Sequence, residues 1–140
     1  MVEPENIIAI LFVEVIDSSH AHEPLKDATT SPEVRDCLSL VHKLAIEGKG
    51  RVVKTAGDGA MCEFRNADAA VLAACEMQAR VQQNQSRQAG NIATRIGLHC
   101  GPPLTAGVTA QRMAVMAASG QIIITGETKA LLSVQERKVI

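Results

Sequence analysis

The sequence predicts an α+β fold of the ferredoxin-like type, in which helices cover one face of a βαββαβ sheet and a C-terminal αβα appendix follows. Two observations support this class. Dense apolar and β-branched runs alternate with segments of helical periodicity, and a Gly-Asp-Gly turn joins two of the apolar runs directly. With 140 residues, 46% apolar and 21% charged, the chain is expected to form one globular domain over residues 1–140.

The first strand and helix follow from local composition. Residues 7–15 (IIAILFVEV) are typical of a strand buried on both faces. A polar loop follows, and Ser31, Pro32 and Glu33 then provide an N-cap, a first-turn proline and a first-turn acid. Gly48 is a suitable end for this helix.

The middle of the chain predicts a hairpin and a second helix. Residues 51–56 and 60–64 are β-rich runs on either side of the Gly-Asp-Gly turn. Asn66 is placed to cap a helix whose apolar stripe ends at Val81. The polar run 82–91 predicts a loop.

The C-terminal third completes the pattern. Residues 92–100 predict a strand, and a short helix is expected around residues 109–118. Together with that helix, a strand over 121–125 and a final segment over 126–133 make up the αβα appendix.

Composition excludes several classes of partner. The formal net charge is −1, which argues against DNA or an anionic membrane as an electrostatic partner. The chain has no Trp or Tyr and only two Phe, so it lacks stacking platforms for single-stranded nucleic acid. We therefore expect no nucleic-acid partner.

The cysteines and the N-terminus predict a cytoplasmic location. The four cysteines are scattered and form no CxxC pair, which favours reduced, buried thiols over a zinc site. The apolar run 7–13 is too short to cross a bilayer, and the residues before it are acidic where a signal peptide would be basic. No membrane contact is expected within this segment.

The hairpin turn raises a question about Asp58. Strand alternation would place Val52, Lys54, Ala56 and Asp58 on one face. A solvated Lys–Asp pair at an ordinary hairpin turn explains this pattern, and spacing alone favours that explanation.

A second carboxylate, Glu14, suggests another explanation. It lies at the exit of the most apolar strand, where a charged group needs a partner. Glu14 and Asp58 can approach each other only if a cation lies between them. Two carboxylates with a backbone carbonyl or water are the usual oxygen ligands of Mg²⁺.

Four segments in order resemble the catalytic domain of class III adenylate and guanylate cyclases. They are LFVEVIDSS (11–19), GRVVKTAGDGAMCEF (50–64), RIGLHCGPPLTAG (95–107) and AQRMAVMAASGQIIIT (110–125). The resemblance covers most of residues 7–133. It implies a head-to-tail homodimer that binds ATP in clefts at the interface, with two Mg²⁺ or Mn²⁺ ions per site. The ribose 3′-hydroxyl then attacks the α-phosphorus and expels pyrophosphate, as two-metal chemistry allows.

The resemblance assigns roles to five positions. Asp58 matches the second metal-binding aspartate, Glu14 stands where the first is expected, and Val15 would supply the metal-binding carbonyl. Lys54 matches the position that selects adenine, because a lysine can donate to adenine N1 but not to the protonated N1 of guanine. Arg112 matches the catalytic arginine that stabilises charge on the phosphates.

Other matched positions depart from the family. The phosphate-wrapping turn, a substrate-binding segment, corresponds to Asp17, Ser18 and Ser19, and Asp17 replaces a glycine. Val108 replaces an asparagine that orients the ribose.

A stretch that the family carries is absent between Gly107 and Val108, together with the last strand beyond Ile140. The missing stretch includes a second purine-reading residue and a hairpin arm that grips the other subunit. Two explanations remain open: the protein lacks these parts, or the sequence omits a loop and a tail.

Two functions follow. The first is an adenylate cyclase that forms 3′,5′-cyclic AMP and pyrophosphate in intracellular signalling, a phosphorus–oxygen lyase that could be joined to regulatory domains in a longer chain. The second is a weak or inactive cyclase-homology module that binds a nucleotide or a partner domain and regulates it.

Overall fold

A computed structural model describes residues 7–17, 31–88 and 92–133, and these ranges contain five strands and four helices. The elements are β1 (Ile8–Asp17), α1 (Pro32–Glu47), β2 (Arg51–Ala56), β3 (Gly59–Phe64), α2 (Ala67–Gln88), β4 (Ile92–Gly101), α3 (Pro103–Met116), β5 (Ile122–Ile124) and α4 (Gly126–Ala130). The strands form one sheet in the order β2-β3-β1-β4-β5, antiparallel except for the parallel β4–β5 pair. The predicted α+β class, with its βαββαβ order and αβα appendix, is confirmed.

The predicted helix caps are present. The Ser31 hydroxyl accepts a hydrogen bond from the Val34 amide at 3.2 Å, and the proline at the start of α1 already has a helical φ. Gly48 is the C-cap of α1. At α2, the Asn66 side chain accepts from the Ala69 amide at 2.9 Å. These caps satisfy donors and acceptors that a helix end leaves unpaired, and they fix where both helices begin.

Two helices are longer than predicted. The loop expected over 82–91 is wrong, since α2 continues to Gln88. Residues 82–88 contain neither Gly nor Pro and are rich in Gln, which is a good helix former. The helix expected around 109–118 instead spans Pro103–Met116, because Pro103 provides a preformed first turn.

Helices cover both faces of the sheet. The larger core lies between the sheet and helices α1 and α2, and alternate residues of β1 point into it. These residues are Ala9, Leu11, Val13 and Val15. On the opposite face, Ile10 packs with Ala106 and Ala110 of α3. β1 is therefore buried on both faces, as its composition predicts.

Helix α3 lies in close contact with β4. A Cβ atom added at Gly97 would lie 2.1 Å from the Ala110 carbonyl oxygen and 2.3 Å from the Ala114 nitrogen. Glycine at this position is therefore required for the two backbones to approach so closely. The junction between Gly107 and Val108 falls inside α3, and the helix continues through it without a break.

Candidate active site

The β2–β3 hairpin holds Asp58 at its tip. Ala56 pairs with Gly59, which leaves a two-residue turn of Gly57 and Asp58. Gly57 has a φ of +58°, as a type II′ turn requires at its first central position. The Asp58 side chain is exposed, and its backbone carbonyl accepts a hydrogen bond from the Val15 amide at 2.8 Å. This bond fixes the turn against the end of β1.

The three residues predicted as metal ligands lie at the same end of the sheet. Glu14 lies directly opposite Gly59, the residue that follows Asp58. Because the N–H and C=O of one residue in an extended strand point to the same side, the Val15 carbonyl also faces the hairpin turn. The fold thus brings the backbone of Glu14 and Val15 on β1 next to that of Asp58 in the hairpin turn.

Sequence reasoning missed Arg95, which pairs with Glu14. The two residues lie directly opposite each other on β4 and β1. The Arg95 Nε donates to the Glu14 Oε1 at 2.5 Å, and its Nη2 contacts the same oxygen. Its Nη1 donates to the Val115 carbonyl of α3 at 3.1 Å. The signal in the sequence is an arginine that carries the only full charge within a mainly apolar strand, but only the β1–β4 register identifies its partner.

Lys54 lies on the same face of the sheet as Glu14, because β2 contains an irregularity that the sequence analysis did not predict. An extra residue between Val52 and Lys54 forms a β-bulge, which reverses the alternation of side chains along β2. Val52 pairs with Cys62 and packs against the larger core, whereas Lys54 pairs with Met61 on the opposite face. The prediction that Val52 and Lys54 share a face is therefore wrong.

Arg112 is not brought to these residues within one chain. It is exposed on α3, about 200° around the helix from Ala110, which packs on the sheet. Its side chain therefore faces solvent rather than the sheet of its own chain. Val108 is also exposed, with 55% of its surface accessible.

Asp17 lies on the other face of the sheet from Glu14. The Ser31 hydroxyl at the start of α1 donates to the Asp17 Oδ2 at 3.4 Å. Asp17 thus faces the α1 side of the sheet. Ser18 and Ser19 lie outside the described residues.

The oxygen groups of the three predicted ligands are of a kind suited to a hard divalent cation. Two carboxylates and a carbonyl are oxygen ligands of the kind that Mg²⁺ and Mn²⁺ prefer, and Mg²⁺ often uses only one or two carboxylates together with substrate phosphates. Within residues 7–17, 31–88 and 92–133, no group of three or more His, Cys, Asp or Glu residues is placed to hold a metal. The Glu14 carboxylate is, in addition, shared with the Arg95 guanidinium.

The cysteines form no disulfide with one another and are mostly buried. All four thiols are free, and three of them are buried. Burial raises the pKa of Cys37 to about 11 and that of Cys62 to about 12, and it also raises the pKa of Cys100. At neutral pH these three thiols are therefore protonated and poorly nucleophilic.

Comparison with known proteins identifies the family. Residues 1–116 match the model of the adenylate and guanylate cyclase catalytic domain, and the chain belongs to this family. No curated protein sequence gives a significant match. In the part of the chain that the structure describes, no helix is long and apolar enough to cross a membrane.

Solved cyclase structures share the fold. The adenylyl cyclase CyaB from P. aeruginosa is 20% identical with a TM-score of 0.73, and the match covers 89% of this chain and 79% of that one. A Trypanosoma brucei adenylate cyclase, solved in its monomeric state, is 21% identical with a TM-score of 0.73 over 99% and 81% of the two chains. The guanylate cyclase domain of RhGC from Catenaria anguillulae, in complex with GTP, is 18% identical with a TM-score of 0.74 over 95% and 85%.

Proposed function

We propose that this domain converts ATP to 3′,5′-cyclic AMP and pyrophosphate at the interface of a head-to-tail homodimer. The observation that carries the proposal is the meeting of Glu14, Val15 and Asp58 at the hairpin end of the sheet, where the matched family positions would place the metal ligands. Lys54 lies on the same face of the sheet. The cyclase family membership of the chain supports the same activity.

The proposed metal ligands are the carboxylates of Glu14 and Asp58 and the carbonyl of Val15. When bound, Mg²⁺ or Mn²⁺, two per site, would supply positive charge for the phosphates and make the ribose 3′-hydroxyl easier to deprotonate. The protein would contribute mainly the positions of its own charged groups, which is sufficient for large rate effects in phosphoryl chemistry.

Lys54 would select the base. An ammonium group donates hydrogen bonds and cannot accept them. Adenine N1 accepts, whereas guanine N1 carries a proton, so Lys54 favours ATP over GTP. Lys54 is exposed on β2, where a base bound between two subunits could reach it.

Arg112 would act across the dimer interface. Since its side chain faces away from its own sheet, it can stabilise phosphate charge only at a site that another subunit completes. This arrangement supports a site shared between two chains rather than one held within a monomer.

The Glu14–Arg95 ion pair favours a second candidate, a regulatory cyclase-homology module. A carboxylate already neutralised by arginine is a weaker metal ligand. The departures at Asp17 and Val108 point the same way. Such a module would bind a nucleotide or a partner domain without turnover.

The deciding experiment measures cyclic AMP formed from ATP, with Mg²⁺ and Mn²⁺ supplied separately. The parent protein is expected to be active, more so with Mn²⁺, and Asp58→Ala should lose activity by about a hundredfold or more because an essential ligand is gone. Asp36→Ala, at an exposed acid on α1, is the matched control and should leave the rate unchanged. Nucleotide binding without cyclic AMP under either metal would favour the regulatory module.

A further inference from the structure

The Glu14–Arg95 pair is held more firmly than an ordinary surface ion pair. The two side chains are only 28% and 26% exposed, and the guanidinium contacts the carboxylate through both Nε and Nη2. A third contact, from Nη1 to the Val115 carbonyl, ties the same guanidinium to the end of α3. Three contacts from a planar group leave it little freedom to turn away.

A second cross-strand pair on the same face provides a comparison. Arg51 and Glu63 also lie directly opposite each other, on β2 and β3, at the other end of the hairpin. They meet through one contact of 3.1 Å, and the Arg51 side chain is 72% exposed. Exposed pairs of this kind contribute little. Arg95 therefore differs from Arg51 in its burial and in its anchoring to α3.

The partner of Arg95 is also a proposed metal ligand. The guanidinium already contacts Oε1 of Glu14, and a divalent cation placed on the same carboxylate would be repelled by this positive charge. The longer side chain of glutamate, compared with aspartate, helps Glu14 to reach across to β4. The resting arrangement thus places a positive charge of the protein on Oε1 of a proposed metal ligand, from the β4 side of β1.

We propose that Arg95 is a positioning residue that competes with the divalent cation for the Glu14 carboxylate, so that the guanidinium must leave Glu14 before the metal site is complete. This proposal rests on the proposed function, because it takes Glu14 and Asp58 as metal ligands. According to this proposal, the contact of Arg95 with Glu14 sets how tightly the site binds the metal ion. It also couples metal binding to the end of α3, the helix that carries Arg112.

The test is the Mn²⁺ dissociation constant, measured by electron paramagnetic resonance titration of the nucleotide-free full chain. Arg95→Met removes the charge while keeping a long side chain, and it should tighten Mn²⁺ binding at least about tenfold, which corresponds to about 1.4 kcal/mol. Arg51→Met breaks the comparison pair and should change the constant by less than about twofold. Unchanged or weaker binding by a folded Arg95→Met protein would overturn the proposal.

A second measurement on the unaltered protein covers the case in which Arg95→Met does not fold. The side-chain Nε–H resonance of Arg95 should shift on titration with Mg²⁺, while that of Arg51 should stay in place. A stationary Arg95 resonance at saturating Mg²⁺ would contradict the competition.

The two proposals can fail separately. If Asp58→Ala abolishes Mn²⁺ binding while Arg95→Met leaves it unchanged, the metal site stands and only the role of Arg95 is rejected. If neither the parent nor Arg95→Met binds Mn²⁺, both the metal site and the role of Arg95 are rejected.

Discussion

Glu14 shows how a single methylene group can change a site. Its carboxylate lies ~1 Å further from the backbone than that of an aspartate would, and a displacement of this size in a positioned group can cost on the order of a hundredfold in rate. Mg²⁺ tolerates such a displacement poorly, because it requires near-ideal octahedral geometry. The structure adds a second effect of the longer side chain, the contact with Arg95.

We therefore predict that Glu14→Asp increases the rate of cyclic AMP formation with Mg²⁺ by about tenfold, and by less with Mn²⁺. The measurement is the initial rate under each metal. Asp58→Glu makes the reverse change at the other carboxylate and should lower the rate. A Glu14→Asp protein that is no faster with Mg²⁺ would show that the length of this side chain does not limit the reaction.

At the scale of a single residue, Lys54 also provides a test of base selection. Lys54→Glu replaces a donor with an acceptor, so the ratio of kcat/KM for ATP to that for GTP should fall by at least about tenfold, or ~1.4 kcal/mol. Lys43→Glu, an equal charge change at an exposed site on α1, is the control. An unaltered ratio in a folded Lys54→Glu protein would remove Lys54 from the nucleotide site.

At the scale of elements, the sequence contains the signals for most boundaries. Ser31 and Asn66 mark the starts of α1 and α2, because their side chains satisfy amides at the first turn. The end of α2 could not be predicted, since a polar run of Gln residues is compatible with both a loop and an exposed helix.

The site was only partly predictable for a related reason. The sequence singles out Glu14 and Asp58 as candidate metal ligands, but the bulge before Lys54 comes from the pairing of two strands and reverses the predicted alternation. Arg95 required the register between β1 and β4, which brings together residues 81 positions apart. A local pattern shows which face of a strand is buried, but it does not show which residue of a distant strand lies opposite.

The contact between β4 and α3 gives a prediction about how two elements stabilise the fold. Gly97→Ala places a methyl group against the backbone of α3, so the helix must shift, and we expect a loss of about 1–3 kcal/mol in the free energy of unfolding. Urea denaturation followed by circular dichroism measures the change. Gly126→Ala, where an added Cβ meets nothing within 4 Å, should be close to neutral. Equal stabilities of the two variants would show that α3 is not packed on β4 in solution.

At the scale of the whole molecule, the proposed site is divided. The acidic residues lie at the hairpin end of the sheet, whereas Arg112 faces solvent on the outer side of α3. The same outer surface exposes apolar side chains, with Leu104 95% and Val115 57% accessible. A second subunit that covers α3 would bury these side chains and could bring Arg112 to the acidic residues of its partner.

This division predicts complementation between two inactive variants. Asp58→Ala and Arg112→Ala should each be inactive alone, because each lacks one half of the site. In a mixed dimer, one of the two sites receives Asp58 from one chain and Arg112 from the other and is therefore intact. With random exchange, half of the dimers are mixed and have one working site, so an equal mixture should recover about a quarter of the parent activity.

Recovery should rise with total protein concentration, since dimer formation depends on mass action. Light scattering measures dimer formation in the same samples. A mixture that forms dimers but makes no cyclic AMP would contradict a site shared between subunits, provided that the parent protein is active under the same conditions.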